Sequence, residues 1–192
     1  MSHDMSLIPL IIISGPPGSG KTTLGRWLAE ELRLPFLYKD GLKEILYDTL
    51  GWSDRERSMK LGVASISLLY YTLEVELKAG NACVVESNFL TEYATPPLLE
   101  LKQRYPFRVF QIQCYTDNEA LFQRLQARAA SAKRHPGHGE AGILADLTPA
   151  RLVSRYEPLE IGGELLCLDT TDFAQVDYAR ISAQVHLFLE TS

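Results

Sequence analysis

Residues 14–23 read SGPPGSGKTT: three glycines and two prolines, then a lysine and two threonines. Before them runs LIIIS at 10–14, short, β-branched and apolar; from Lys21 onward runs KTTLGRWLAEELRL, with Leu24, Trp27, Leu28 and Leu32 on one helical face. Within the stretch, Gly15, Gly20, Lys21 and Thr22 match G-x-x-x-x-G-K-[ST] with a strand before and a helix after. Glycines let backbone N–H groups turn inward with no Cβ in the way. Those donors and the helix N-terminus favour a polyphosphate. The expectation is a loop made of Gly15, Pro16, Pro17, Gly18, Ser19, Gly20, Lys21, Thr22 and Thr23 that wraps the phosphates of a nucleoside triphosphate. Lys21 reaches the β- and γ-phosphates, and Thr22 offers its hydroxyl to Mg²⁺.

Working outward, strands and helices alternate. FLY (Phe36–Tyr38), ACVVES (82–87), FRVFQIQCY (Phe107–Tyr115) and ELLCLD (Glu164–Asp169) read as further strands. The helices between them are expected from Asp40, with Leu42, Ile45 and Leu46 on one face; over 54–78, as one helix or two; after Pro96 and Pro97; over 118–132; over 149–156; and over 176–190. KRHPGHGEAGIL interrupts the pattern as a lid insert at about 130–147. Five apolar strands separated by helices predict an α/β/α sandwich on a five-stranded parallel sheet, in a single domain spanning 1–192.

The totals narrow the function. The 192 residues carry a net charge of −5, which disfavours nucleic acid as the bulk partner. Cys83, Cys114 and Cys167 each sit in a strand run and read as small buried thiols, in keeping with a cytoplasmic protein. The early apolar run at 7–13 is too short to span a bilayer, so no membrane partner is expected. There is no N-K-x-D guanine motif, no LSGGQ-like signature and no apolar strand ending in Asp-Glu, which removes the GTPases and the transporter and ring ATPases.

The order of four pieces resembles the small P-loop kinases of the group that includes phage polynucleotide kinase, chloramphenicol phosphotransferase and zeta toxin. These pieces are GPPGSGKTT, YKDGLK after the second strand, VVESNF after the third, and QRLQARAASAKRHPGH leading into the lid. The resemblance implies an ATP- and Mg²⁺-dependent transfer of the γ-phosphoryl group to a hydroxyl of a small molecule. It makes Asp40 the catalytic base, an alternative being a helix N-cap. Lys43 stands where the polynucleotide kinases have an arginine, and with Glu86 and Asn88 it would contact the acceptor. Glu86 would otherwise hold a Mg²⁺-bound water, or be a solvated strand end. Arg128 or Arg134 would close over the transferred phosphoryl group, one of them alternatively stacking on adenine; Arg124 shares a helix face with Arg128. Trp52, Arg55, Arg57, Tyr70 and Tyr71 fall in the region where such kinases build the acceptor pocket. Two other readings stay open: a kinase of nucleic-acid 5′-hydroxyls, and a nucleotide-binding switch that hydrolyses ATP slowly.

Overall fold

A computed structural model describes residues 7–131, 134–138 and 156–191. The elements run β1 (Ile8–Ser14), α1 (Lys21–Leu32), β2 (Phe36–Tyr38), α2 (Lys39–Leu50), α3 (Arg55–Ala79), β3 (Cys83–Glu86), α4 (Thr91–Arg104), β4 (Phe107–Tyr115), α5 (Asn118–Ala129), β5 (Glu164–Asp169) and α6 (Tyr178–Glu190). The strands form one sheet in the order β2-β3-β1-β4-β5, every pairing parallel. This is the expected five-stranded α/β architecture.

Both faces of β1 are apolar because both are covered. Leu10 and Ile12 point into a cluster with Leu69, Leu73 and Leu77 of α3 and Leu98 and Leu101 of α4. Ile11 and Ile13 point the other way, against Leu24 and Leu28 of α1 and Ile181, Val185 and Phe188 of α6. The phosphate-loop segment leaves β1 at the centre of the sheet, and β2 and β3 end beside it, with Ile13 level with Glu86 and Glu86 level with Tyr38. Residues carried at these strand ends therefore gather around one point, where ligands of open α/β sheets bind.

Several local expectations change. α3 is one continuous helix, started by Asp54, whose side chain accepts from the Arg57 N–H, and stopped at Gly80. α4 begins at Thr91 and carries Pro96 and Pro97 inside it, rather than starting after them. The carbonyls those prolines leave without an intrahelical donor belong to Glu92 and Tyr93, an exposed turn open to water. α5 ends at Ala129, three residues short of expectation. β1 begins two residues early, and β3 is trimmed at both ends. Ile45 is not on an inward face but 59% exposed; Tyr47 and Gly41 are buried instead. Cys83 and Cys114 are buried thiols on inner strands, whereas Cys167 is exposed, because β5 is the edge strand. The helix expected over 149–156 falls almost wholly outside the described residues, as does most of the expected lid insert, of which 130–131 and 134–138 are described.

Candidate active site

The loop after β1 folds on itself around one carbonyl. Pro16 O accepts from the Ser19 N–H at 3.3 Å, from Ser19 Oγ at 2.9 Å and from Lys21 Nζ at 2.7 Å. Three glycines at positive φ, Gly15, Gly18 and Gly20, make this path possible. Gly15 has φ 137° and leaves no room for a Cβ against the Cys114 carbonyl; Gly20 has φ 80° and lies against the Phe173 ring. Lys21 is only 4% exposed, and burial pulls its pKa down, countered in part by the Glu86 carboxylate. An ammonium carries three protons and Pro16 O takes one, so Lys21 retains donors for phosphate oxygens.

Glu86 is not a solvated strand end: it is 5% exposed. Thr22 Oγ1 donates to its Oε2 at 2.8 Å. Burial pushes its pKa up, while Lys21 and the Thr22 hydroxyl pull it back. Thr22 and Glu86 thus bring two hard oxygen donors together at the start of α1, and that donor set fits Mg²⁺. Asn88 follows two residues on, half-buried.

Asp40 lies in the first turn of α2, not at its N-cap, which is Tyr38. β2 runs into α2 with no intervening residue, so the carboxylate sits at the positive end of the helix next to the loop. One oxygen faces Lys39 Nζ at 3.3 Å; the other accepts from Arg134 Nη2 at 2.7 Å. Burial alone would raise its pKa, but Lys39, Arg134 and His138 together hold it far below the usual carboxylate range. Its charge is felt by both Lys21 and Glu86, which places the predicted base and the phosphate loop in one electrostatic site.

The predicted cations divide. Arg134 reaches Asp40 across 94 residues of sequence. Arg128 is half-buried and close enough to Lys21 for its charge to lower the lysine pKa. Arg124 is turned elsewhere: it donates to the Thr171 carbonyl at 2.8 Å and stacks over the Phe173 ring at 4.1 Å. Lys43 donates to Ser58 Oγ at 3.1 Å and lies over Tyr47; burial is the main cause of its pKa of about 8. Of the acceptor-region residues, Tyr70 packs on the core, Tyr71 is exposed and Arg57 caps the Leu50 carbonyl. Trp52 is 48% exposed, its ring edge-on to His135.

Residues that the sequence did not single out complete the site. Phe173 forms a platform beside Gly20; its only signal was an aromatic in the loop after a strand. Glu44, Tyr47 and Asp48 meet His135 and His138, and nothing in the local pattern of α2 announced partners some 90 residues away.

Comparison with known proteins identifies the family and the fold. A family model described as an AAA domain (AAA_33) matches residues 10–145. The crystal structure of a provisionally named kinase from Chloroflexus aurantiacus J-10-fl is 39% identical, with 95% of this chain and 98% of that one covered and a TM-score of 0.88. The fold is shared with the APS kinase CysC of Mycobacterium tuberculosis, solved with AMPPNP and APS (17% identity, 95% and 98% covered, TM-score 0.59). A gluconokinase of Sinorhizobium meliloti 1021 also shares it (16% identity, 96% and 99% covered, TM-score 0.51). A 62-residue stretch is 45% identical to shikimate kinase of Pseudomonas fluorescens, covering 26% of this chain; the chain thus spans about a third (35%) of that curated relative's length. With more than half its length under one family model, and a P-loop kinase fold around Lys21, Glu86 and Asp40, this chain belongs to the AAA_33 family of AAA domains.

Proposed function

We propose that the chain transfers the γ-phosphoryl group of ATP to a hydroxyl of a small molecule. The observation that carries this reading is Asp40, a carboxylate ionised beside the phosphate loop and held by Arg134. A module that only binds and slowly hydrolyses nucleotide has no need of that arrangement. The small-molecule kinases that share the fold support the same class.

In this reading the loop amides and Lys21 hold the phosphates, and Thr22 with Glu86 would hold Mg²⁺, which would supply charge neutralisation at the phosphates. Asp40 accepts a hydrogen bond from the acceptor hydroxyl and aims its oxygen at the γ-phosphorus. The new O–P bond forms as the bond to the β–γ bridging oxygen breaks, and the hydroxyl proton passes to Asp40. A carboxylate with a depressed pKa is a weak base. In a loose transition state the proton leaves late, so orientation matters more than basicity. Arg128 and Arg134 balance charge on the equatorial oxygens. Lys43 and Asn88 line the acceptor side.

The test is Asp40→Asn in steady-state ADP release. The expected outcome is a kcat lower by about 10²-fold or more, with KM for ATP within about twofold. Undiminished turnover would overturn the assignment.

A further inference from the structure

The 134–138 segment docks on α2 through a set of contacts that the phosphoryl-transfer reading does not use. His138 is 7% exposed and touches two charged groups at once. Its Nε2 lies 2.9 Å from Glu44 Oε1, and its Nδ1 lies 3.2 Å from Arg134 Nη2. A guanidinium only donates and a carboxylate only accepts, so both contacts are satisfied by a single species: neutral imidazole protonated on Nε2. That same Arg134 Nη2 is the atom bonded to Asp40.

The rest of the segment grips one aromatic ring. His135 stacks on Tyr47 at 4.9 Å and 16°, while His138 meets the same ring edge-on at 5.3 Å. His135 Nε2 reaches Asp48 at 3.2 Å, and its Nδ1 accepts from the Gly137 N–H at 3.0 Å, which closes the Pro136–His138 turn. Asp40, Glu44 and Asp48 are spaced four apart on α2, so the three acids lie along one face under this segment.

We propose that His138 is a positioning residue for the transfer reaction: it bridges Glu44 to Arg134 and so fixes the guanidinium on Asp40, with Tyr47 as the seat that His135 and His138 clasp. The proposal rests on the kinase reading of the site. The bridge adds a second contact on the Nη2 that Asp40 already holds. With it, the arginine is set before substrate arrives. The surroundings keep the ring neutral. Burial first, then the positive charge of Arg134, with Lys43 and Lys39 adding and Asp40 opposing, bring the His138 pKa to about 3. Glu44, Tyr47 and His135 complete the groups that face it.

Two variants of the full chain separate positioning from packing. Glutamine offers both an amide donor and a carbonyl acceptor, so His138→Gln can rebuild the bridge; His138→Leu fills similar space with neither. The expected result is a kcat for ADP release about tenfold lower in His138→Leu, with KM for ATP and Tm little changed, and most of the rate restored in His138→Gln. Wild-type rates in His138→Leu, or equal losses in both variants, overturn the proposal. Should His138→Leu fail to fold, Glu44→Ala removes the other end of the bridge and is expected to lower kcat by a similar factor; an unchanged rate is contradictory. An activity-independent readout is the long-range ¹H–¹⁵N spectrum of the histidine-labelled wild type. It is expected to show one ring in the Nε2–H tautomer that does not titrate between pH 5 and 8, and that assignment is lost in His138→Gln. A His138 titrating near its ordinary value overturns the bridge. If wild-type protein binds ATP yet releases no ADP under any condition, the kinase reading fails, and the spectra still decide the bridge.

Discussion

Asp40 engages Lys39 with one oxygen and Arg134 with the other, and this double pairing has a consequence for pH. A carboxylate whose folded pKa lies below its unfolded value of about 3.9 contributes stability that is present above that value and lost as pH falls through the folded pKa. The Asp40–Arg134 pair therefore survives mild acid, and Asp40 sets no acid limb on kcat between pH 7 and pH 5. A limb that persists in Asp40→Asn belongs to another group. Lys43 has the same sign in a different window: with its pKa lowered to about 8, it binds fewer protons than the unfolded chain between pH 8 and its ordinary value. Its contribution to stability rises with pH across that window, and Lys43→Met flattens that part of the Tm–pH curve. Where the acceptor needs the Lys43 charge, its KM increases above pH 8 in the same profile. Lys21, Thr22 and the glycines were legible in the sequence because their chemistry is local: the loop motif contains its own turn geometry. The burial of Glu86 was not legible, since it depends on β1 and β2 flanking the end of β3.

At the level of elements, start signals explain most of what the sequence revealed and where it misled. Asp54 before a long apolar-periodic run is a helix start, and the structure has its side chain on the Arg57 N–H at 2.9 Å. Asp54→Ala is expected to cost about 1 kcal/mol, read as a lower denaturation midpoint at unchanged m-value. No change would mean that the rest of α3 holds its own first turn. Pro96 and Pro97 gave the wrong signal. Prolines are commonly read as helix starts, but here they lie within α4, and the carbonyls they leave without an intrahelical donor belong to the exposed Glu92 and Tyr93. Ile45 misled for a related reason. An apolar residue at helical spacing suggested a buried face, yet Ile45 faces solvent, and Tyr47 is buried under His135 and His138 on the same side of α2 as Glu44 and Asp48. Periodicity reports that a helix has faces; which neighbour each face meets is decided by contacts far along the chain.

Across the whole molecule, the architecture follows from β1 being apolar on both sides and sitting mid-sheet, and this was readable from strand and helix alternation alone. What could not be read was how distant segments are tied to that sheet. Gln111 and Gln113 look like polar interruptions of β4, but Gln111 exchanges two hydrogen bonds with the backbone of Leu159, and Gln113 holds the Tyr156 carbonyl. Such bonds span more than 40 residues and leave no local pattern. The same is true of Arg134 and Asp40, whose meeting turns a nucleotide-binding fold into a candidate phosphotransferase. The whole chain is also expected to gain about 2.7 kcal/mol of stability at an ATP concentration 100 times Kd, seen as a higher Tm that Lys21→Ala abolishes. The most direct test of the central claim measures ADP release from ATP and Mg²⁺ across a panel of hydroxyl compounds (sugars, sugar acids, nucleosides, aminoglycosides and 5′-hydroxyl oligonucleotides), with Lys21→Ala as blank and Asp40→Asn in parallel. A small hydroxyl compound is expected to raise turnover well above the rate with water alone, and Asp40→Asn to remove the stimulation while still binding ATP. Turnover that no acceptor stimulates, or stimulation that survives in Asp40→Asn, would contradict that claim.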